Sequence, residues 1–127
     1  MPPMTGPSQS SIVAGKDVAW LLADRASRHP DRPFLHWEPF DGANRRWSYA
    51  AFHDDVRRAA AGLIAADVKA GDRILLHAEN SPELLLAWFA SALVGSVAVT
   101  TNPAASQREL DYYAAHSAAT FILCDTH

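Results

Sequence analysis

The chain has 127 residues, enough for one domain that buries a hydrophobic core without metals or disulfides. Hydrophobic residues make up 49% and charged residues 20%, the balance of a folded protein rather than a disordered one. A formal net charge of −3 with mixed signs leaves no electrostatic case for a nucleic-acid partner or an anionic membrane surface, and the single cysteine, Cys124, excludes an internal disulfide.

Residues 1–15, "MPPMTGPSQSSIVAG", read as a flexible tail because Pro, Gly, Ser and Thr dominate them. They lack the basic leader and continuous apolar run of a secretion signal. The first helix is expected over Asp17 to His29. Asp17 caps it, Val18, Leu21, Leu22 and Ala26 share one face, and Pro30 stops it. "FLHWEPF" reads as a strand, "DGAN" as a hairpin turn and "RRWS" as the return strand. Ser48 then caps a second helix, Tyr49 to Ala66, with Phe52, Val56, Ala59, Ala60, Leu63 and Ile64 at helical spacing.

Gly71 and Asp72 form a turn into the strand "RILLHA". Ser81, Pro82 and Glu83 then start a helix running to Val94, where Gly95 supplies a left-handed cap. "SVAVTT" is a strand, "NPAAS" a turn with Ser106 as N-cap, Gln107 to His116 a helix with Leu110, Tyr113 and Ala114 on one face, and "TFILCD" the last strand. No charge occurs from Leu84 to Gln107, a stretch long enough on its face to span a membrane. Gly95 divides it, polar residues interrupt it and its flanks lack a basic anchor, so it reads as a buried helix and strand, with Trp88 and Phe89 as core contacts.

The second half is therefore a βαβαβ unit with a parallel sheet, right-handed crossovers and strands covered on both faces. The first half adds a helix, a hairpin and a helix, so the fold class is α/β.

Few residues carry recognisable chemistry. There is no phosphate-binding loop of the G-x-x-x-x-G-K-[ST] type and no G-x-G-x-x-G after a strand. His29, His36, His53, His77, His116 and His127 show no metal spacing, and no C-x-x-C occurs, so no metal site is expected. His77 ends a strand, at the edge where open α/β sheets bind ligands. With Glu79 and Asn80 it either lines a cleft or, as the plainer reading, satisfies local backbone groups at a helix start. Asp54–Asp55, Arg45–Arg46 and Arg57–Arg58 read as solvated surface. Cys124 reads as a small buried hydrophobe rather than a reactive thiol, and a lone cysteine fits a cytoplasmic setting. No set of nucleophile, base and orienting group can be assembled, so no catalytic residue is named.

Taken in order, "WLLADRASRHPDRPFL", "WSYAAFHDDVRRAAAGL" and "VKAGDRILLHAENSPELLLAWFASALVGSVAVTTNPAASQRELDYYAAHSAATFILCD" resemble the N-terminal region of the adenylate-forming superfamily. The acyl-CoA synthetase branch is the most similar, in particular synthetases of the crotonobetaine/carnitine-CoA ligase type. The resemblance implies that residues 16–127 are the N-terminal part of an AMP-binding domain with the acetyl-CoA synthetase-like fold, truncated before the family's phosphate loop. It implies a full-length enzyme that joins a carboxylic acid to coenzyme A with ATP and Mg²⁺, through an acyl-adenylate and with release of pyrophosphate. None of these is expected to bind this segment alone. It is expected to be inactive in isolation and to self-associate through uncovered apolar surface.

Two positions depart from the family pattern. Ala51 stands where Glu commonly completes a capping box, and Asp67 where Gly is frequent. Two other readings remain: a free-standing α/β interaction or scaffold module, disfavoured by an end one strand short of the family's phosphate loop, and a flavodoxin-like nucleotide-binding domain, disfavoured by the lack of a phosphate-cradling loop.

Overall fold

A computed structural model describes residues 15–125, so the tail expected over 1–15 lies outside the described residues except for Gly15. The elements in chain order are α1 (Val18–Arg28), β1 (Pro33–Trp37), β2 (Arg45–Ser48), α2 (Tyr49–Ala65), β3 (Arg73–His77), α3 (Pro82–Val94), β4 (Val97–Thr100), α4 (Gln107–Ser117) and β5 (Phe121–Cys124).

Local chemistry sets most of these boundaries. The carboxylate of Asp17 accepts from the Trp20 amide at 2.7 Å and starts α1. Ser48 Oγ accepts from the Ala51 amide at 3.2 Å; with Ala51 in place of Glu, only this half of a capping box forms. Asp67 ends the second helical segment in the left-handed region, at φ 67°, a conformation that Asp tolerates better than most residues. Ser81 Oγ accepts from the Leu84 amide at 3.1 Å, Pro82 takes the first helical position, and Gly95 closes α3 at φ 84°. A Cβ on Gly95 would also lie 3.3 Å from the Ala70 methyl. The charge-free stretch is thus a helix, a glycine turn and a strand. Among the described residues no helix is long and apolar enough to cross a membrane.

β1 and β2 form an antiparallel hairpin, and β4, β3 and β5 form a parallel sheet in that order. Two clusters of buried side chains hold these parts. Leu22, Trp47, Phe52 and Val56 join α1, the hairpin and α2, with Phe34 and Phe89 against them; the Phe34 and Phe52 rings lie 4.6 Å apart and those of Phe52 and Phe89 5.5 Å, within the range of favourable aromatic pairs. Ala60, Leu63, Val68, Ile74, Leu76 and Ala90 join α2 and α3 to one face of the sheet.

Several expectations are corrected. Only β3, the central strand, is covered on both faces; Ile74, Leu75 and Leu76 are fully buried, while β4 and β5 keep exposed apolar residues. Cys124 is exposed rather than buried, because it ends an edge strand with no covering neighbour. Leu21 (52% exposed) and Ile64 (61% exposed) lie at the margins of their helical stripes, outside the packed faces.

Of the charged pairs expected at the solvated surface, Arg45, Arg46, Asp54, Arg57 and Arg58 are exposed and Asp55 alone is half-buried. Asp55 is half-buried and accepts from Trp47 Nε1 at 2.9 Å, and it pairs with Arg58, so it ties α2 to the hairpin. Arg45 lies over the Trp47 ring, 4.6 Å from its centroid, and pairs with Glu83 in the first turn of α3. Arg46 Nε donates to His36 Nε2 at 3.1 Å across the hairpin.

Candidate functional site

The carboxyl ends of parallel strands are where open α/β sheets bind ligands, because the loops there diverge and leave a crevice. In this sheet that edge carries His77 at the end of β3, Thr101 after β4, and Cys124 and Asp125 at the end of β5.

His77 does not satisfy local backbone groups, as the plainer sequence reading held. Its Nδ1 lies 2.8 Å from Thr101 Oγ1, so the half-buried ring ties the end of the central strand to the turn after β4. The Thr101 amide also donates to the Leu76 carbonyl at 3.1 Å. On the other side, the Glu79 amide donates to the Asp125 carboxylate at 3.0 Å and links the β3–α3 loop to the end of β5. Glu79 therefore contributes its backbone here. Asn80 is exposed in the bend before Ser81.

Sequence reasoning found His77 but missed Thr101 and Asp125. Each follows a strand at its carboxyl end, and that position in a βαβαβ order was the available signal.

Beside this edge lies a hollow of about 410 Å³, lined by Leu76, Ser81, Glu83, Leu84 and Ala87 together with the end of β5 from Leu123 to Asp125. A second hollow of about 400 Å³ continues it between α2, α3 and β5, and shares Glu83, Ala87 and Leu123. Both are walled mainly by aliphatic side chains.

The helix starts at this edge are each capped by a serine and carry a carboxylate in the first turn. An unoccupied helix N-terminus attracts phosphate through free amides and the positive end of the helix dipole. At α3 the Ser81 hydroxyl takes the Leu84 amide, Pro82 has no amide to offer, and Glu83 places a carboxylate in the first turn. At α4 the capping box is complete: Ser106 Oγ accepts from the Glu109 amide, and the Glu109 carboxylate accepts from the Ser106 amide at 2.7 Å. The Ser106 amide, and then its hydroxyl, hold the Glu109 carboxyl below its ordinary pKa. Among the described residues no group of three His, Cys, Asp or Glu side chains is placed to hold a metal ion.

The chain is similar to known proteins in sequence and in fold. A model of the AMP-binding enzyme family matches residues 22–127. The crotonobetaine/carnitine–CoA ligase of Salmonella paratyphi B is 32% identical over 91 residues, which are 72% of this chain and 18% of that protein. The ligase of the same name from Citrobacter koseri is 29% identical over 88% of this chain and 22% of its own length. The chain thus spans about a fifth of the length of the curated relatives it matches.

Among solved structures, the O-succinylbenzoate coenzyme A synthetase MenE of Bacillus subtilis, in complex with AMP, superposes with a TM-score of 0.76 at 28% identity, over 83% of this chain and 26% of that one. The N-terminal subdomain of Klebsiella oxytoca NpsA superposes with a TM-score of 0.76 at 26% identity, over 85% of this chain and 27% of that one. The match over residues 22–127, the ligase relatives and the shared architecture together mean that this chain belongs to the AMP-binding, adenylate-forming enzyme family, in the part of the fold that corresponds to the N-terminal subdomain.

Proposed function

We propose that residues 16–127 serve as the N-terminal structural part of an AMP-forming acid–thiol ligase, an acyl-CoA synthetase that converts a carboxylic acid, ATP and coenzyme A to acyl-CoA, AMP and pyrophosphate in the cytoplasm. The observation that carries the choice of thioester chemistry is the 32% identity to a CoA ligase over 72% of the chain. The MenE synthetase adds weight as a second CoA-forming relative.

The described residues do not fit Mg²⁺ or the phosphates of ATP. The starts of α3 and α4 each place a carboxylate in the first turn, and Ser81 and Ser106 each already occupy one amide there. No chemical step is therefore assigned to a residue of this chain. Its contribution to the enzyme is scaffolding: a rigid parallel sheet whose carboxyl edge is tied by His77–Thr101 and Glu79–Asp125. Taken alone, the chain is catalytically silent and self-associates.

The test is acid-dependent ATP–pyrophosphate exchange, followed by thioester formation with coenzyme A, for a ligase that contains this segment and for the 127-residue chain by itself. Exchange and thioester formation by the ligase, with none by the short chain, is the expected result. Exchange by the short chain would overturn the scaffolding role. Exchange without use of coenzyme A would instead favour acyl transfer to another thiol.

A further inference from the structure

The β1–β2 hairpin turns one face toward the first core cluster and the other outward. Leu35, Trp37 and Trp47 pack with the cluster, whereas His36 and its register partner Arg46 lie on the outer face. Glu38, two residues beyond His36, returns to that outer face and contacts the same ring. All three outer residues are exposed.

Both charged neighbours of His36 meet one ring atom. Arg46 Nε lies 3.1 Å from Nε2, and Glu38 Oε1 lies 3.2 Å from it. The two contacts make opposite demands. A guanidinium only donates, so its bond needs the lone pair on Nε2 and leaves the neutral ring's proton on Nδ1. A carboxylate only accepts, so its bond needs a proton on Nε2. One nitrogen cannot meet both demands at once. The other charges of the hairpin lie elsewhere: Asp41 in the turn, and Arg45 over Trp47 and against Glu83. α2 packs on the inner face, where its Asp55 accepts from Trp47 Nε1.

We infer that His36 is a proton-operated switch that exchanges Arg46 for Glu38 as its partner. With the ring neutral, Nε2 accepts from Arg46 and ties β2 to β1. When Nε2 takes a proton from solvent, it can no longer accept, the imidazolium repels the guanidinium, and Nε2–H donates to Glu38. A tie across the hairpin is thus replaced by one along a single segment, and Arg46 is released to water. The backbone pairing of β1 with β2 does not depend on this ring. What changes is the outer face, which passes from balanced charge, one cation against one anion, to a positive excess. Histidine is the side chain whose charge ordinarily changes near neutral pH, so mild acid suffices to drive the exchange.

Nitrogen-15 NMR of the imidazoles in the 127-residue chain tests this, with the His36 signal assigned by its loss in His36→Gln. At alkaline pH the ring is expected as the Nδ1–H tautomer, the reverse of an unconstrained histidine in water. As pH falls, the Arg46 Nε–H resonance should shift over the same range as the ring nitrogens. Arg46→Ala should return the neutral ring to mainly Nε2–H. Glu38→Gln should keep the alkaline tautomer and move the exchange to lower pH, because the imidazolium loses its anion. Wild-type His36 found mainly as Nε2–H, or an Arg46 resonance that ignores the ring's titration, would overturn the switch. So would an Nδ1–H tautomer that persists in Arg46→Ala. The wild-type measurements need no variant, so they decide the matter even where a substitution disturbs the hairpin.

Discussion

β3 and β5 lie side by side in one sheet and read almost alike. Each has three successive apolar residues, Ile74–Leu76 in one and Phe121–Leu123 in the other, paired in register. Yet Ile74 is fully buried and Ile122 is more than half exposed. What differs is rank in the sheet. β3 has a strand on each side, α2 and α3 over one face and Leu75 buried on the other, whereas β5 has one strand neighbour among the described residues. An apolar run predicts that a strand can be buried; the order of strands decides whether it is.

The sharpest way to break the comparison is to cut the same side chain from both strands. Ile74→Ala should lower the unfolding free energy by ~2–5 kcal/mol, the range for a fully buried large-to-small change. Ile122→Ala should stay within ~0.5 kcal/mol in dilute, monomeric solution, as for an exposed site. Urea denaturation of both variants reads the difference, and equal losses would mean that β5 is covered after all.

A smaller effect tests whether the first half is held by directed polar contacts as well as by its aromatic cluster. Trp47→Phe keeps a ring in the core but removes the donor to Asp55. It should cost about 1–2 kcal/mol in the same measurement, part of it from the acceptor left behind.

The smallest effect concerns α4, which buries no residue fully. Glu109 has a lowered pKa, so its cap contributes above the ordinary carboxylate range and is lost as pH falls through the lowered value. Amide exchange in the first turn of α4 should therefore accelerate in acid beyond its intrinsic pH dependence. Glu109→Gln, which still accepts from the Ser106 amide, should remove that excess. A variant with the wild-type acid response would show that the cap is not its source.

The parts legible in the sequence are those decided within a few residues. Asp17, Ser48, Ser81 and Ser106 cap the helices they were expected to cap, and Gly95 and Asp67 take left-handed conformations where the chain must turn. The contacts that define the site were not legible, because they join residues far apart: His77 to Thr101 and Glu79 to Asp125. The exposure of Cys124 was hidden for the same reason, since it depends on which strand lies at the edge. Arg45 shows the limit of reading charge by composition. It is exposed beside Arg46, as a charged pair suggests, and the fold also brings it over Trp47 and against Glu83.

One helix determines how far this chain can be divided. α3 follows β3 in sequence and packs its Leu84, Ala87, Ala90 and Val94 with the sheet, yet its Leu86 and Phe89 complete the aromatic cluster of the first half. The two halves therefore do not correspond to two modules. A polypeptide ending before residue 73 would leave Phe34 and Phe52 without their Phe89 neighbour, and one beginning there would present the same ring to water. The smallest portion that shuffling or grafting could move intact contains both clusters together.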